Sequence, residues 1–147
     1  MAAKPESTYT QSINRQKVLK ETYYEKTNNP FRSGIADMWY SGERGDLWVE
    51  YKYEPSLPKI KEYRPDLSPR QVKWLGDRHD EGRKVAVILG LPEGGVIYTD
   101  KSWLLEFKQA ELLARSLSRP EIAQWIFEQV GKSKCKTLSG PSPPQPL

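Results

Sequence analysis

The stretch that most constrains the chain is Asp46-Leu-Trp-Val-Glu-Tyr-Lys-Tyr53. A strand sends alternate side chains to opposite faces, so Val49, Tyr51 and Tyr53 share one face while Glu50 and Lys52 share the other. The first set is apolar or aromatic and belongs against a core. The second presents a carboxylate and an ammonium side by side from stiff backbone. A strand-like run, Gly34-Ile-Ala-Asp-Met-Trp-Tyr40, precedes it across Ser-Gly-Glu-Arg-Gly, a segment rich in turn formers, and the two runs read as a hairpin. On such a hairpin Asp37 can approach Glu50.

Two carboxylates held about 4 Å apart repel by roughly 4 kcal/mol at an effective dielectric of 20. A shared proton, a basic neighbour or a divalent cation must offset this, and oxygen-only ligation favours Mg²⁺ or Mn²⁺ over zinc. Lys52 beside such an ion can orient a water and stabilise charge developing on a phosphate. Metal-assisted phosphodiester hydrolysis is the chemistry that fits. Taken alone, Glu-x-Lys on a strand is more often a solvated pair; the joint occurrence with Asp37 and a well-capped helix carrying Gln71 gives it weight. Other chemistries are narrowed by composition. The single Cys135 excludes a disulfide framework and a thiolate metal cage, and the single His79 excludes sites needing two imidazoles. His79 reads as a surface residue near a helix end. Gly90-Leu-Pro-Glu-Gly-Gly95 lacks the Gly-Lys-Ser/Thr of a phosphate-binding loop and reads as a hairpin turn.

The rest of the chain predicts an α/β plan with a mixed sheet flanked by helices. A first helix is expected from Ser7 or Thr8 to about Glu21, ended by Asn28-Asn29-Pro30. Residues 54–66 hold three prolines and read as a loop. Ser68-Pro69 opens a helix running through Gln71, Trp74 and Leu75 to Gly82. Strands at 84–89 and 95–99 and helices near 102–116 and 119–130 follow. With 147 residues, residues 1–131 form one domain and the Pro/Ser-rich segment 132–147 reads as a disordered tail. No apolar run approaches the ~20 residues of a membrane span, and the N-terminus lacks a signal-peptide core. The expectation is therefore a cytoplasmic, non-secreted protein. Its 23 Lys and Arg against 19 Asp and Glu permit a polyanionic partner. Arg15, Lys26, Arg32, Ser33, Arg70 and Lys73 are the expected DNA contacts, with Arg32-Ser33-Gly34 nearest the site.

Gly34-Ile35-Ala36-Asp37, Glu50-Tyr51-Lys52 and Leu67-Ser68-Pro69-Arg70-Gln71, with Trp74-Leu75 and Gly82, resemble the PD-(D/E)xK nucleases. The pattern is most similar to their virus-type replication-repair nuclease (VRR-NUC) branch, in particular its small stand-alone phage members. It covers roughly residues 6–100, with Ala36 where the family usually has proline. The resemblance implies a restriction-endonuclease-like core and a Mg²⁺- or Mn²⁺-dependent endonuclease that nicks duplex DNA or cleaves branched DNA such as Holliday junctions or flaps. It implies Asp37 and Glu50 as metal ligands with the Tyr51 backbone carbonyl, Lys52 as the catalytic lysine, and Gln71 in a polar supporting role. Glu6 is the candidate for a first-helix acid, with Glu21 as the fallback. A homodimer placing two sites across a branched duplex, and a phage protein acting in the host cytoplasm, also follow from it. Two further readings stand beside this one: an inactive DNA-binding or host-interaction protein on the same scaffold, and RNA as the substrate.

Overall fold

Strand β3 (Gly45–Tyr53) is the axis of the structure, which is a computed structural model describing residues 5–27 and 34–134. β2 (Met38–Gly42) runs antiparallel to it, with Met38 opposite Val49 and Gly42 opposite Gly45. On its other side β4 (Lys84–Leu91) runs parallel, with Glu50 opposite Val87. β1 (Tyr23–Lys26) and β5 (Gly94–Tyr98) pair antiparallel at the two ends, giving one five-stranded sheet in the order β1-β2-β3-β4-β5. The parallel step requires a crossover, and α2 (Pro69–Asp80) supplies it. The mixed sheet expected from the sequence is the sheet observed.

Both faces of the sheet are covered, by different helices. On one face Val49, Tyr51, Ala86 and Ile88 meet Tyr9 and Ile13 of α1 (Pro5–Asn14) and Ile122, Ala123 and Ile126 of α4 (Arg119–Val130). On the other, Val85, Val87 and Leu89 meet Leu75 of α2, with Ala36, Trp103 and Leu112. The alternation along β3 therefore separates two cores. Glu50 does not point to open solvent: it is 2% exposed, on the face that α2 covers. Beside it, Tyr23, Trp39, Trp48 and Trp74 form a row in which the two central rings stack and the end rings meet them edge-on. The row packs against itself and walls that face.

Several elements depart from expectation. The first helix stops at Asn14, a short 3₁₀ turn covers Lys17–Leu19, and β1 follows where no strand was expected. The reason is rotational. Leu19 lies six residues beyond Ile13, about 240° around a continuous helix, yet both residues are fully buried in the same core. Only a break lets them share it. The Asp37 end of the first hairpin strand lies outside the ladder, which starts at Met38. The expected helix over 102–116 is instead a 3₁₀ turn, Ser102–Leu104, and the short α3, Gln109–Ala114. Of the expected tail, Lys132 pairs with Glu21 at 3.2 Å, and Ser133 accepts from the Tyr23 N–H and donates from its own N–H to the Glu21 carbonyl. The described chain is thus docked through Ser133; 135–147 lie outside the described residues.

Candidate active site

The segment carrying Asp37 reaches its place through two local devices. Gly34 has φ +96°, and a Cβ there would lie 2.9 Å from the Arg70 carbonyl oxygen, so the close approach to the first turn of α2 requires glycine. Farther on, the Thr27 N–H donates to the Asp37 carbonyl at 2.9 Å, extending the β1–β2 ladder by one bond. Because β2 ends at Met38, the next ladder position on β3 is met by a side chain: the Tyr51 N–H donates to Asp37 Oδ2 at 3.1 Å. In an extended strand a residue's N–H and C=O point to the same edge, so the Tyr51 carbonyl also faces the Asp37 side.

Glu50 is held on the opposite pleat. Its Oε2 accepts from the Asp37 N–H at 3.2 Å, and its Oε1 accepts from Gln71 Nε2 at 2.7 Å. Gln71 is the third helical residue of α2 and completes a capping box. Ser68 Oγ accepts from the Gln71 N–H at 3.1 Å, while Gln71 Oε1 accepts from the Ser68 N–H at 2.9 Å. With its oxygen taken by the cap, the amide has only its NH₂ group to turn toward Glu50. Lys52, two residues along β3 and on the same face, brings Nζ to 3.9 Å from Glu50 Oε1 and keeps a quarter of its side chain exposed. Asp37, Glu50, Lys52 and Gln71 therefore converge.

The electrostatics are those of an under-neutralised acid pair. Burial, then the Asp37 charge, push the Glu50 carboxyl up to about 9, with Lys52 pulling the other way. Burial also raises Asp37, opposed by the Tyr51 N–H, by Glu50 and by the charges of Lys52 and Lys26. Without a further cation the two carboxyls resist ionising together, and the pair favours keeping a proton between them. One buried and one half-buried carboxyl, with a backbone carbonyl directed to the same edge, suit a divalent ion of the Mg²⁺ or Mn²⁺ type, whose charge would replace that proton.

The other expected residues are dispersed. Among the described residues no three His, Cys, Asp or Glu gather as a metal group, so Glu6 on α1 does not join Asp37 and Glu50. Glu21 is engaged with Lys132. Lys73 pairs with Asp77 at 2.8 Å along α2, and Arg70 lies in the first turn of that helix, its backbone against Gly34. Arg15 follows α1, which packs on the face opposite α2. Arg32 and Ser33 lie outside the described residues. His79 is held near Asp80 and Asp100, at 3.6 and 3.3 Å. Two features went unread in the sequence. Ser68-x-x-Gln71 is a capping-box signature that would have oriented the Gln71 amide. The buried hydrogen bonds joining Asn14, Tyr40 and Tyr51 carry no local signal.

By sequence the chain matches no protein-family profile and no curated protein. By structure it is similar to Hjc, a Holliday junction resolvase from the archaeal hyperthermophile Archaeoglobus fulgidus. The TM-score is 0.53 at 16% identity, over 80% of this chain and 98% of that one. The chain thus shares the fold of that resolvase, a mixed five-stranded α/β sheet flanked by helices.

Proposed function

We propose that this chain is a divalent-metal-dependent endodeoxyribonuclease acting on branched or duplex DNA, with the Holliday junction as its leading substrate. The observation that carries the reading is the convergence of Asp37, Glu50, Lys52 and Gln71 at one end of β3, on a fold similar to that of a junction resolvase. Small stand-alone phage VRR-NUC proteins, working in the host cytoplasm, remain the branch its motifs resemble. No helix among the described residues is long and apolar enough to cross a membrane.

Asp37, Glu50 and the Tyr51 carbonyl would hold the ion. When bound, it supplies positive charge against the scissile phosphate and the attacking water. The remaining work belongs to side chains. Lys52 is the half-free cation of the group: its partner Glu50 is shared with Gln71 and Asp37, and part of its surface stays open to substrate. Its ammonium is placed to orient the attacking water and to stabilise the extra negative charge on the oxygens of the pentacoordinate phosphorus as the bond to water forms and the bond to the leaving oxygen breaks. Gln71 fixes the rotamer of Glu50, and Gly34 brings Asp37 beneath the first turn of α2. Lys26, whose charge acts on Asp37, and Arg70 are the nearest proposed phosphate contacts.

A four-way DNA junction and a supercoiled plasmid, each with Mg²⁺ or Mn²⁺, test this directly. Cleavage is expected with either ion, none with EDTA, and a loss of about 10²–10³-fold in Lys52→Ala. Equal cleavage by Lys52→Ala rejects the mechanism. Saturable junction binding without cleavage under any divalent ion supports the inactive-scaffold reading instead.

A further inference from the structure

We propose that Tyr51 is a positioning residue for the carboxylate pair: its buried phenol, fastened through Tyr40 to Asn14, holds the Tyr51 peptide against Asp37. The hold on the peptide stands on geometry alone, whereas its consequence for a metal ion rests on the nuclease reading above.

The hydrogen-bond chain has a direction. The Asn14 amide oxygen can only accept, so Tyr40 donates to it at 2.6 Å, and the Tyr40 oxygen then accepts from Tyr51 at 2.5 Å. Tyr51, Tyr40 and Asn14 are 1%, 0% and 7% exposed, so these bonds have no water to compete with them. They span β3, β2 and α1 on the face opposite Glu50. Tyr51 is therefore attached to one chain segment at two points. Its N–H meets Asp37 Oδ2, and its phenol meets Tyr40, three residues farther along. Between those points the β2–β3 ladder starts only at Met38, so strand pairing with β3 does not itself fix Asp37. The phenol bond supplies the missing constraint.

Packing does not explain the hydroxyls. Phenylalanine at 40 and 51 would cover the same apolar area without burying polar atoms that need partners. α1 already has a firm seat, since the Tyr9 ring lies where a Cβ on Gly90 would fall 2.6 Å from it. What the hydroxyls add is a fixed register beside Asp37 and Glu50. A strand shifted along its neighbour would lose both attachments together.

Tyr51→Phe is the clean probe, because Tyr40 still donates to Asn14 and the fold stands. Tyr40→Phe would strand both neighbours and is not used. Tyr98→Phe is the control: Tyr98 is a buried β5 tyrosine whose hydroxyl has no hydrogen-bond partner among the described residues. The first readout is amide hydrogen exchange on metal-free protein. Exchange at position 51, relative to the Ile88 amide on β4, is expected to rise about tenfold in Tyr51→Phe and to stay unchanged in Tyr98→Phe. The second is calorimetric Mn²⁺ titration, where Tyr51→Phe is expected to bind about tenfold more weakly and Tyr98→Phe as wild type. Unchanged exchange at position 51 overturns the proposal whatever happens to DNA. So does faster exchange with wild-type Mn²⁺ affinity. Faster exchange in a protein whose wild-type form binds no Mn²⁺ upholds the hold on the peptide and overturns the nuclease reading.

Discussion

α2 and α4 begin in the same way and end up doing different work. Each opens on a serine N-cap, Ser68 or Ser118, whose hydroxyl accepts from the N–H three residues on, and each has proline in its first turn. In each the residue at that third position reaches back to the serine N–H at 2.9 Å. The difference is one functional group. α4 carries Glu121 there, and α2 carries Gln71. Glu121 is fully solvent-exposed, and bonds from the Ser118 N–H hold its carboxyl below the usual range, as suits an acid at a positive helix end. At Gln71 the same acid would face Glu50 across 2.7 Å. The amide keeps the cap and replaces a repelling oxygen with a donor. Capping chemistry thus accounts for the serines, and only the neighbouring site accounts for the glutamine.

Exchanging the two residues breaks the comparison most sharply. Gln71→Glu is expected to destabilise the metal-free protein by about 1–3 kcal/mol at pH 8, since Glu50 loses its amide donor and a third carboxylate joins an acid pair that already resists full ionisation. Urea unfolding measures this. The loss should shrink at pH 5, where the new acid takes a proton, and shrink again with saturating Mn²⁺. A protein equally stable at both pH values would mean that residue 71 does not face Glu50.

The acid pair itself gives the next effect, of the opposite sign. The Glu50 carboxyl lies at about 9 in the folded chain against an ordinary 4.5. Because the folded value is raised, its contribution to stability is complete below the unfolded value and is lost as pH rises through the folded one. Metal-free wild type should therefore weaken from pH 5 to pH 9, with a slope of at most about 1.4 kcal/mol per pH unit. Glu50→Gln should flatten that profile, exceed wild-type stability at pH 9 and abolish cleavage. A site that loses stability in proportion to its acidity, and regains it when the acid is removed, is organised for a ligand and not for the fold.

This contrast explains what was legible in the sequence. Strand alternation placed Val49 and Tyr51 in one core and Glu50 with Lys52 on the other face, because period 2 follows from backbone geometry. The Ser68 cap, the sheet strands 84–89 and 95–99 and the last helix were equally local, and all are present. What depended on distant partners was not legible. Leu19 breaks the first helix only because α4 is there to receive it, and Lys132 and Ser133 dock only because Glu21 and Tyr23 lie beside them. The site followed the same division. Glu50 and Lys52 were given by alternation, whereas the failure of Glu6 to join them reflects how α1 is seated by Tyr9 and Asn14 on the opposite core. That seating carries no signature within the helix itself.

Smaller tests separate the shared cap from the unshared contact. Ser68→Ala and Ser118→Ala should each cost about 1 kcal/mol in urea unfolding, the usual worth of a serine cap. Only Ser68→Ala should also weaken Mn²⁺ binding, severalfold, because losing the hydroxyl that accepts from the Gln71 N–H loosens the first turn from which the Gln71 amide reaches Glu50. Equal Mn²⁺ affinity in both would make the α2 cap a helix device and nothing more.

The mildest change is Glu121→Gln, the reverse half of the exchange. The amide oxygen can still accept from the Ser118 N–H, so the box survives, and what disappears is a negative charge at an exposed helix start. The melting temperature at pH 7 should move by no more than about 2 °C, with cleavage and Mn²⁺ affinity unchanged. The pH dependence carries the information. Since the folded Glu121 value is depressed, its contribution is present above the unfolded value and vanishes as pH falls through the folded one. Each mutant should therefore converge with wild type in acid and separate from it as pH rises, but the carboxylate form is expected to be the more stable at position 121 and the less stable at position 71. Opposite signs from the same position of the same capping motif would isolate the one variable that differs, the acid pair behind α2.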